Sequence, residues 1–196
     1  MNIVLATRNK KKIDEIKRIV RDMPVTIYTL DDFPGCPEVE EDGKTFEENA
    51  VKKARAVSGY TKMPALADDS GLEVYALDGA PGVFSARYAG EGADDRKNYE
   101  KLLKEMNSLP DDKRMGRFVC VMALAFPDSR VETFSGYAEG MIGKEPKGAN
   151  GFGYDPVFYP KGHGRTFAEM FDKEKDLLSH RGAALGRLYD FLKRGL

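Results

Sequence analysis

Short apolar runs alternate along this chain with segments of helical periodicity, and this alternation most constrains the fold. Ile3–Ala6 reads as a short buried strand, and the segment after it places Ile13 and Ile16 on one face of a helix. Val25–Thr29 has the composition of a second strand. Because strands and amphipathic helices in alternation pack as layers, the sequence predicts an α/β protein.

The second half of the chain narrows this prediction to a mixed sheet. Arg117–Phe126 and Val131–Tyr137 are expected to form an antiparallel pair of strands across a Pro-Asp-Ser turn. Helices are predicted from Thr45 to about Gly59, from Arg96 to Met106 and from Leu177 to Lys193. The first of these helices begins with a capping box, in which Glu48 stands three residues after Thr45.

Composition and charge exclude several classes of protein. The 196 residues include 31 Lys and Arg against 32 Asp and Glu, and this balance argues against nucleic-acid binding. The apolar run Ile3–Ala6 is too short for a signal peptide or a membrane span. Cys36 and Cys120 are too few for a disulfide framework, so we expect a protein of the reducing cytoplasm without membrane partners.

A basic turn, Thr7-Arg8-Asn9-Lys10-Lys11-Lys12, follows the first strand. Backbone N–H groups at a helix N-terminus, together with hydroxyl, amide and ammonium donors, form a natural phosphate cradle. Three lysines there oppose the helix dipole, so an anionic ligand explains them better than a solvated first turn does. The chain has no Walker A sequence, so this is a phosphate loop of another kind.

Acidic residues cluster at two places that suit a metal ion. Asp68-Asp69 follow the apolar run Ala65–Ala67, and Glu40-Glu41-Asp42 lie in a predicted loop. Adjacent carboxylates resist burial without a counter-ion, and Mg²⁺ on a triphosphate needs only one or two of them. A further carboxylate could take a proton from the attacking water. An acidic surface turn is the alternative; the D-x-D signature of aspartate-nucleophile phosphatases fails at Ser70.

Two further segments could contact a base. Gly148–Pro156 places Phe152 and Tyr154 among glycines, which suits stacking on a base, although a hairpin with both rings in the core explains the pattern too. Ser179-His180-Arg181, preceded by Lys175, offers a guanidinium fork for a keto oxygen or a phosphate. A lone His at a helix start is more often merely terminal, and no ligand spacing supports a zinc site.

Taken together, these segments resemble the inosine triphosphate pyrophosphatase family, whose members clear deaminated purine nucleotides. The matching pieces are Ala6-Thr7-x-Asn9-x-x-Lys12, Thr45-Phe46-x-x-Asn49-Ala50, Ala67-Asp68-Asp69-Ser70-Gly71-Leu72, Gly79-x-Pro81-Gly82-Val83-x-Ser85-Ala86-Arg87-Tyr88, Gly151-Phe152-Gly153-Tyr154-Asp155-Pro156, Thr166-Phe167-Ala168-Glu169-Met170, and Glu174-Lys175 before Ser179-His180-Arg181. Their order and spacing make the resemblance specific, and it extends from the first strand to the last helix. One departure is Arg8, where many members carry Gly or His.

The resemblance implies a fold and an activity. The expected fold is an elongated α/β structure with a long mixed sheet flanked by helices, two lobes and a central cleft. Residues 1–196 would form one nucleoside triphosphate pyrophosphatase domain, usually as a homodimer. The implied reaction converts ITP, dITP or XTP to the monophosphate and pyrophosphate, by Mg²⁺-assisted attack of water at the α-phosphorus.

The resemblance also implies a role for each matched residue. Asp69 is the expected general base, and it would bind Mg²⁺ together with Glu40 or Glu41. The expected substrate-binding residues are Thr7, Arg8, Asn9, Lys10, Lys11, Lys12, Lys53, Ser70, Phe152, Gly153, Tyr154, Asp155, Lys175, His180 and Arg181. Arg181 is expected to donate to the 6-keto oxygen of the base, which explains rejection of ATP more easily than rejection of GTP.

Three other functions compete with this interpretation. A Maf-like pyrophosphatase acting on modified pyrimidine nucleotides is the nearest, and the segments Gly151–Asp155 and Ser179–Arg181 favour the purine enzyme. A nucleotide-binding module without turnover would not require acids at both places. A nucleic-acid binder would need a more basic charge balance.

Overall fold

One six-stranded mixed sheet organises the protein in the computed structural model, which describes residues 1–195. The strands are β1 (Asn2–Leu5), β2 (Thr26–Tyr28), β3 (Ala65–Val74), β4 (Met115–Ala125), β5 (Val131–Ile142) and β6 (Phe158–Pro160). Their order in the sheet is β2-β1-β3-β4-β5-β6. Strand β1 pairs parallel with β2 and β3, whereas β5 and β6 are antiparallel. The predicted mixed α/β fold is therefore confirmed.

Five α-helices accompany the strands within the described residues. They are α1 (Lys10–Ile19), α2 (Phe46–Thr61), α3 (Asp95–Glu105), α4 (Asp172–Leu178) and α5 (His180–Lys193). The prediction of one continuous helix over Leu177–Lys193 is wrong, because Ser179 has an extended backbone with ψ 152° between α4 and α5. The break makes His180 the first residue of α5.

Strand β3 is longer than the sequence indicated. Its apolar part was expected to stop at Ala67, but the strand continues through Asp68 and Asp69 to Val74. Two buried carboxylates are tolerated inside a strand only where cationic and hydrogen-bonding partners reach them. Lys12 and Arg181 reach Asp68, and Asn49 and Lys53 reach Asp69.

Helix α2 begins one residue after Thr45, as expected. The Thr45 hydroxyl oxygen accepts the backbone N–H of Glu48 at 3.1 Å. The Glu48 carboxylate accepts the N–H of Lys44 at 2.7 Å, one residue before the position that a capping box requires. The predicted box is therefore only half formed, although both side chains still satisfy backbone donors at the start of the helix.

The chain forms two compact units, each with its own core. Among the described residues, the first comprises residues 1–69, 120–136 and 181–195, and the second comprises residues 70–119 and 137–180. The core of the first unit includes Ile3, Leu5, Ile16, Leu66, Met122, Leu124, Leu185 and Leu188. The core of the second includes Leu72, Val74, Leu102, Met106, Phe118, Val157, Phe158 and Phe167. No helix in residues 1–195 is long and apolar enough to cross a membrane.

Candidate active site

Asp68 and Asp69 are adjacent in β3 and have different surroundings. Successive side chains of a strand point to opposite faces, so the two carboxylates are separated although their backbones are joined. Both residues are buried. Asp68 contacts residues of α1 and α5, and Asp69 contacts residues of α2.

Asp68 is a buried anion held by cations. The Lys12 ammonium lies 3.1 Å from its Oδ2, and the Arg181 guanidinium donates to the same oxygen at 2.9 Å. Burial by itself would raise the pKa of Asp68, but Lys12, Arg181 and Lys53 outweigh burial and hold the pKa well below its usual range. Asp68 is therefore a fixed negative charge that positions cations.

Asp69 has the opposite electrostatic character. Asn49 Nδ2 donates to its Oδ2 at 3.1 Å, and the Lys53 ammonium lies 3.4 Å from its Oδ1. Burial, with a smaller contribution from Glu41, raises the pKa of Asp69 to about 6 against the opposing effects of Lys53 and Lys12. A carboxylate with a pKa near the working pH is suited to accept a proton from water.

Lys53 connects Asp69 to the acidic loop. Its ammonium lies 2.9 Å from Glu41 Oε1 and donates to the backbone carbonyl of Asp68 at 2.8 Å. Burial would lower the pKa of Lys53, but Asp69, Asp68 and Glu41 together raise it, so the ammonium stays charged. Glu40, the other acid of the predicted pair, is exposed.

The two carboxylates that share the Lys53 ammonium fit a divalent cation. Glu41 and Asp69 already converge on one positive charge, and hard cations prefer such carboxylate oxygens. Within residues 1–195 no group of three or more His, Cys, Asp and Glu side chains could hold a metal ion. Two protein carboxylates are the number that Mg²⁺ needs when phosphate oxygens and waters complete its coordination.

The segment predicted to bind phosphate, Thr7–Lys12, lies at the start of α1. Asn9 is the N-cap, and its Oδ1 accepts the N–H of Lys12 at 3.3 Å. Thr7 Oγ1 accepts the N–H of Asn9 at 3.2 Å, while Lys10 and Lys11 lie exposed on the first turn. No acidic residue lies in this turn, so the helix N-terminus keeps its positive character for an anion.

Arg8 is directed towards the loop that carries the acids. Its guanidinium donates to the backbone carbonyl of Cys36 at 3.0 Å. Residues of both loops, among them Thr7, Arg8, Pro37 and Glu41, line a small cavity of about 110 Å³. Arg8 thus links the phosphate loop to the acidic loop.

Arg181 binds partners that the sequence did not indicate. A donor to the base was expected, but the side chain is only 1% exposed and its guanidinium binds both Glu15 and Asp68. Burial would lower the pKa of Arg181, but Asp68 and Glu15 outweigh burial and raise the pKa above its ordinary value. In this structure the Arg181 guanidinium is the counter-ion of two buried carboxylates in the first unit.

Asp155 organises the predicted base-binding loop in the second unit. Its Oδ2 accepts the N–H of Phe152 at 2.8 Å and the Lys175 ammonium at 2.7 Å. The ammonium also lies 4.9 Å from the centre of the Phe152 ring. Gly151 has φ +72°, and a Cβ there would lie 2.1 Å from Asp155 Oδ2, so only glycine permits this close turn.

The other predicted residues of the second unit have different surroundings. Tyr154 is buried, and its hydroxyl donates to the Ser85 carbonyl at 2.8 Å, so it supports the loop from within the core. The His180 ring stacks on Phe118 with centroids 4.7 Å apart. Gly153 has φ +62°, and Ser70 is partly buried beside Asp69 in sequence.

Sequence reasoning missed two residues of this site. Asn49 bonds to Asp69, and Glu15 binds Arg181. Asn49 stands four residues before Lys53, so helical spacing to the one lysine singled out in α2 was an available signal. Glu15 lies in α1, and the sequence around it carries no signal for its partner in α5.

Comparisons with known proteins agree over almost the whole chain. A dITP/XTP pyrophosphatase of Geobacter sulfurreducens is 53% identical over 190 residues, which cover 97% of this chain and 96% of that protein. The structure of a HAM1 protein from Coxiella burnetii is 44% identical and superposes with a TM-score of 0.91 over 100% of both chains. A nucleoside-triphosphatase / dITP/XTP pyrophosphatase from Mycobacterium abscessus is 45% identical, with a TM-score of 0.79 over 96% of this chain and 98% of that one. The model of the Ham1 family matches residues 3–191, and this chain belongs to that family.

Proposed function

We propose that this protein hydrolyses the triphosphates of deaminated purine nucleosides, ITP, dITP and XTP, to the monophosphate and pyrophosphate. The observation that carries the proposal is the pair of adjacent carboxylates Asp68 and Asp69, of which Lys12 and Arg181 bind the first and Asn49 and Lys53 the second. These surroundings lower the pKa of Asp68 and raise that of Asp69, so the pair provides one fixed anion and one proton acceptor. The relatives named dITP/XTP pyrophosphatase support the substrate class. This activity would cleanse the nucleotide pool of non-standard purines.

The triphosphate would bind to the segment Thr7–Lys12. The open helix N-terminus supplies N–H donors, and the lysines supply positive charge. Lys12 is held by Asp68, so its ammonium is positioned before substrate arrives. Lys53 would add a buried cation beside the reacting phosphate.

Asp69 and Glu41 would hold Mg²⁺ as its protein ligands. Glu41 is favoured over Glu40 because its carboxylate shares the Lys53 ammonium with Asp69. When bound, Mg²⁺ would neutralise phosphate charge and lower the pKa of the attacking water.

In the proposed reaction Asp69 accepts a proton from water as the water oxygen attacks the α-phosphorus. The new phosphorus–oxygen bond forms while the bond from the α-phosphorus to the bridging oxygen breaks, and pyrophosphate leaves with that electron pair. Lys12 and Lys53 stabilise the negative charge that develops on the leaving group. Asp68 takes no proton, since its cationic partners keep it ionised.

The base would be recognised in the second unit. Phe152 offers a ring for stacking, and Lys175 and Asp155 offer a donor and an acceptor near that ring. His180 and the backbone at Gly153 would complete the contacts. A direct contact between Arg181 and the keto oxygen stays a prediction, and it requires the buried guanidinium to become accessible to the base.

A substrate panel tests this proposal. ITP, dITP, XTP, GTP, ATP and dTTP are incubated with the protein and Mg²⁺, and pyrophosphate and orthophosphate are assayed separately. We expect pyrophosphate from ITP, dITP and XTP, with little from ATP or GTP. Orthophosphate would mean attack at the γ-phosphorus and would overturn the mechanism, and turnover of dTTP alone would favour the pyrimidine enzyme.

The variant Asp69→Asn separates an enzyme from a binding module. We expect it to bind ITP while Mg²⁺-dependent turnover is lost. A wild-type protein that binds ITP and never hydrolyses it would support the module instead.

We also propose the setting in which the protein acts. Residues 1–196 would serve as one pyrophosphatase domain, and the protein would act as a cytoplasmic homodimer without nucleic-acid or membrane partners. Cys36 and Cys120 are free thiols, which suits a reducing compartment.

A further inference from the structure

Asn49 contacts two parts of the candidate site with one buried amide. The side chain lies in the first turn of α2 and is 1% exposed. Its Oδ1 accepts the backbone N–H of Gly43 at 2.8 Å, and its Nδ2 donates to Asp69 Oδ2 at 3.1 Å. A single amide therefore joins the end of the acidic loop to the candidate general base.

The partners of Asn49 determine the orientation of its amide. The Gly43 N–H can only donate, so it must face Oδ1, and the Asp69 carboxylate accepts the hydrogen bond from Nδ2. Both polar atoms of the buried side chain are thereby satisfied. An amide at position 49 can make both bonds, whereas an ionised Asp there would offer no donor.

The approach of the loop to Asn49 depends on a glycine. A Cβ at position 43 would lie 2.6 Å from Asn49 Oδ1 and 2.9 Å from the Cβ of Glu48. Any larger residue would displace the loop from the helix. Gly43 stands two residues after Glu41, so that displacement would reach the proposed metal ligand.

Lys53 completes this arrangement one helical turn later. Residues four apart lie on the same face of a helix, so Asn49 and Lys53 present their donors together. Asn49 binds Oδ2 of Asp69, and Lys53 lies near Oδ1 while also binding Glu41. The two residues of α2 thus hold both carboxylate oxygens of Asp69.

We propose that Asn49 is a positioning residue that orients Asp69 and, through Gly43, sets the distance between Asp69 and Glu41. The proposal rests on the proposed function and assigns Asn49 no contact with substrate. It follows that the amide nitrogen and the amide oxygen of Asn49 have effects that can be measured separately. The Nδ2 bond controls turnover, and the Oδ1 bond controls metal binding.

Three variants separate these effects. Asn49→Asp keeps an acceptor for the Gly43 N–H and loses the donor to Asp69. Gly43→Ala keeps the donor and displaces the loop. Asn49→Leu keeps the branched shape and the number of heavy atoms and loses both bonds. Ser58→Ala, which removes another buried polar group of α2, is the matched control.

The variants are compared in ITP hydrolysis and in Mn²⁺ binding measured by calorimetry without nucleotide. We expect Asn49→Asp and Asn49→Leu to lower kcat by about 10- to 100-fold, with KM for ITP changed by less than about threefold. We expect Gly43→Ala to keep kcat at saturating Mg²⁺, to raise the half-saturating Mg²⁺ concentration about tenfold and to weaken Mn²⁺ binding similarly. Ser58→Ala should match the wild type in both measurements.

Two results would overturn the proposal. One is a wild-type kcat for Asn49→Asp at saturating Mg²⁺. The other is Mn²⁺ binding to Gly43→Ala as tight as that of the wild type. If the wild type itself releases no pyrophosphate from ITP, dITP or XTP, the proposed function fails, and the Mn²⁺ titrations still decide whether Gly43 and Asn49 set the geometry of the acids.

Discussion

At the scale of single residues, the site depends on giving two neighbouring aspartates different surroundings. Asp68 binds cationic side chains, whereas Asp69 binds a neutral amide and an ammonium that it shares with a second acid. The first carboxyl therefore stays ionised at all ordinary pH values, and the second can exchange a proton. The division of roles comes from partners, since the two residues are chemically identical.

The raised pKa of Asp69 predicts how activity depends on pH. The pKa lies above its ordinary value, so below about pH 6 the metal-free carboxyl is protonated and can neither accept a proton nor bind Mg²⁺. We expect kcat/KM for ITP at low Mg²⁺ to rise with pH through about 6. Because Mg²⁺ and the proton compete, higher Mg²⁺ should move the rise to lower pH; a profile that does not respond to Mg²⁺ would contradict the assignment.

The buried position of Arg181 predicts a large loss of stability on its removal. Arg181→Met would leave Glu15 and Asp68 buried without their shared guanidinium. Breaking a buried pair in this way typically costs about 3–5 kcal/mol, and urea unfolding would measure it. Arg96→Met, which breaks an exposed pair with Glu100, is the control and should leave the urea midpoint nearly unchanged. Equal effects of the two substitutions would show that Arg181 does not hold the buried acids.

At the scale of elements, the break between α4 and α5 separates two tasks. Lys175 on α4 binds Asp155 in the second unit, and Arg181 on α5 binds Asp68 in the first. Ser179 interrupts the helix between them with an extended backbone. Because of this break, Lys175 and Arg181 lie on different helices and bind carboxylates of different units.

Removing the ammonium of Lys175 should weaken binding of the base. Lys175→Met keeps the length of the side chain but leaves the buried Asp155 without its cation and Phe152 without its neighbour. We expect KM for ITP to rise at least about tenfold, with a smaller fall in kcat. Steady-state kinetics would show this, and Lys173→Met, on an exposed position of α4, should behave as wild type. A fall in kcat with unchanged KM would instead place Lys175 in the chemical step.

At the scale of the whole molecule, each compact unit carries one group of the predicted residues. The first unit holds the phosphate loop, the acids, Lys53 and Arg181, and the second holds Phe152–Asp155, Lys175 and His180. Each group is supported by its own apolar core. The proposed division into phosphate and base recognition thus follows the division of the fold.

The proposed homodimer gives a prediction for the assembled protein. Sedimentation equilibrium at micromolar concentration should give a mass twice that of one chain. Repeating the measurement after dilution and at raised salt would test how tightly the chains associate. A monomer at all concentrations would refute this part of the proposal without affecting the site.

The sequence by itself determined the kinds of elements, the mixed α/β class and the family. These depend on local information, namely apolar periodicity, helix signals such as Thr45, and short motifs in a set order. It also predicted roles for Asp69, from its place in the motif Ala67–Leu72, and for Lys53, on the helix after Asn49, and these roles stay predictions. It did not locate the break at Ser179, although Ser is a residue type that commonly precedes the first turn of a helix.

Only the tertiary structure decided which charged and polar groups bind one another. Arg181 binds Asp68 and Glu15 across 113 and 166 residues of sequence, and Asn49 meets Asp69 across 20. No local pattern encodes such pairs, because they form only when folding buries polar groups from distant parts of the sequence next to one another. The opposite pKa shifts of Asp68 and Asp69 follow from those contacts, so the chemical difference between two identical neighbours is a property of the folded protein.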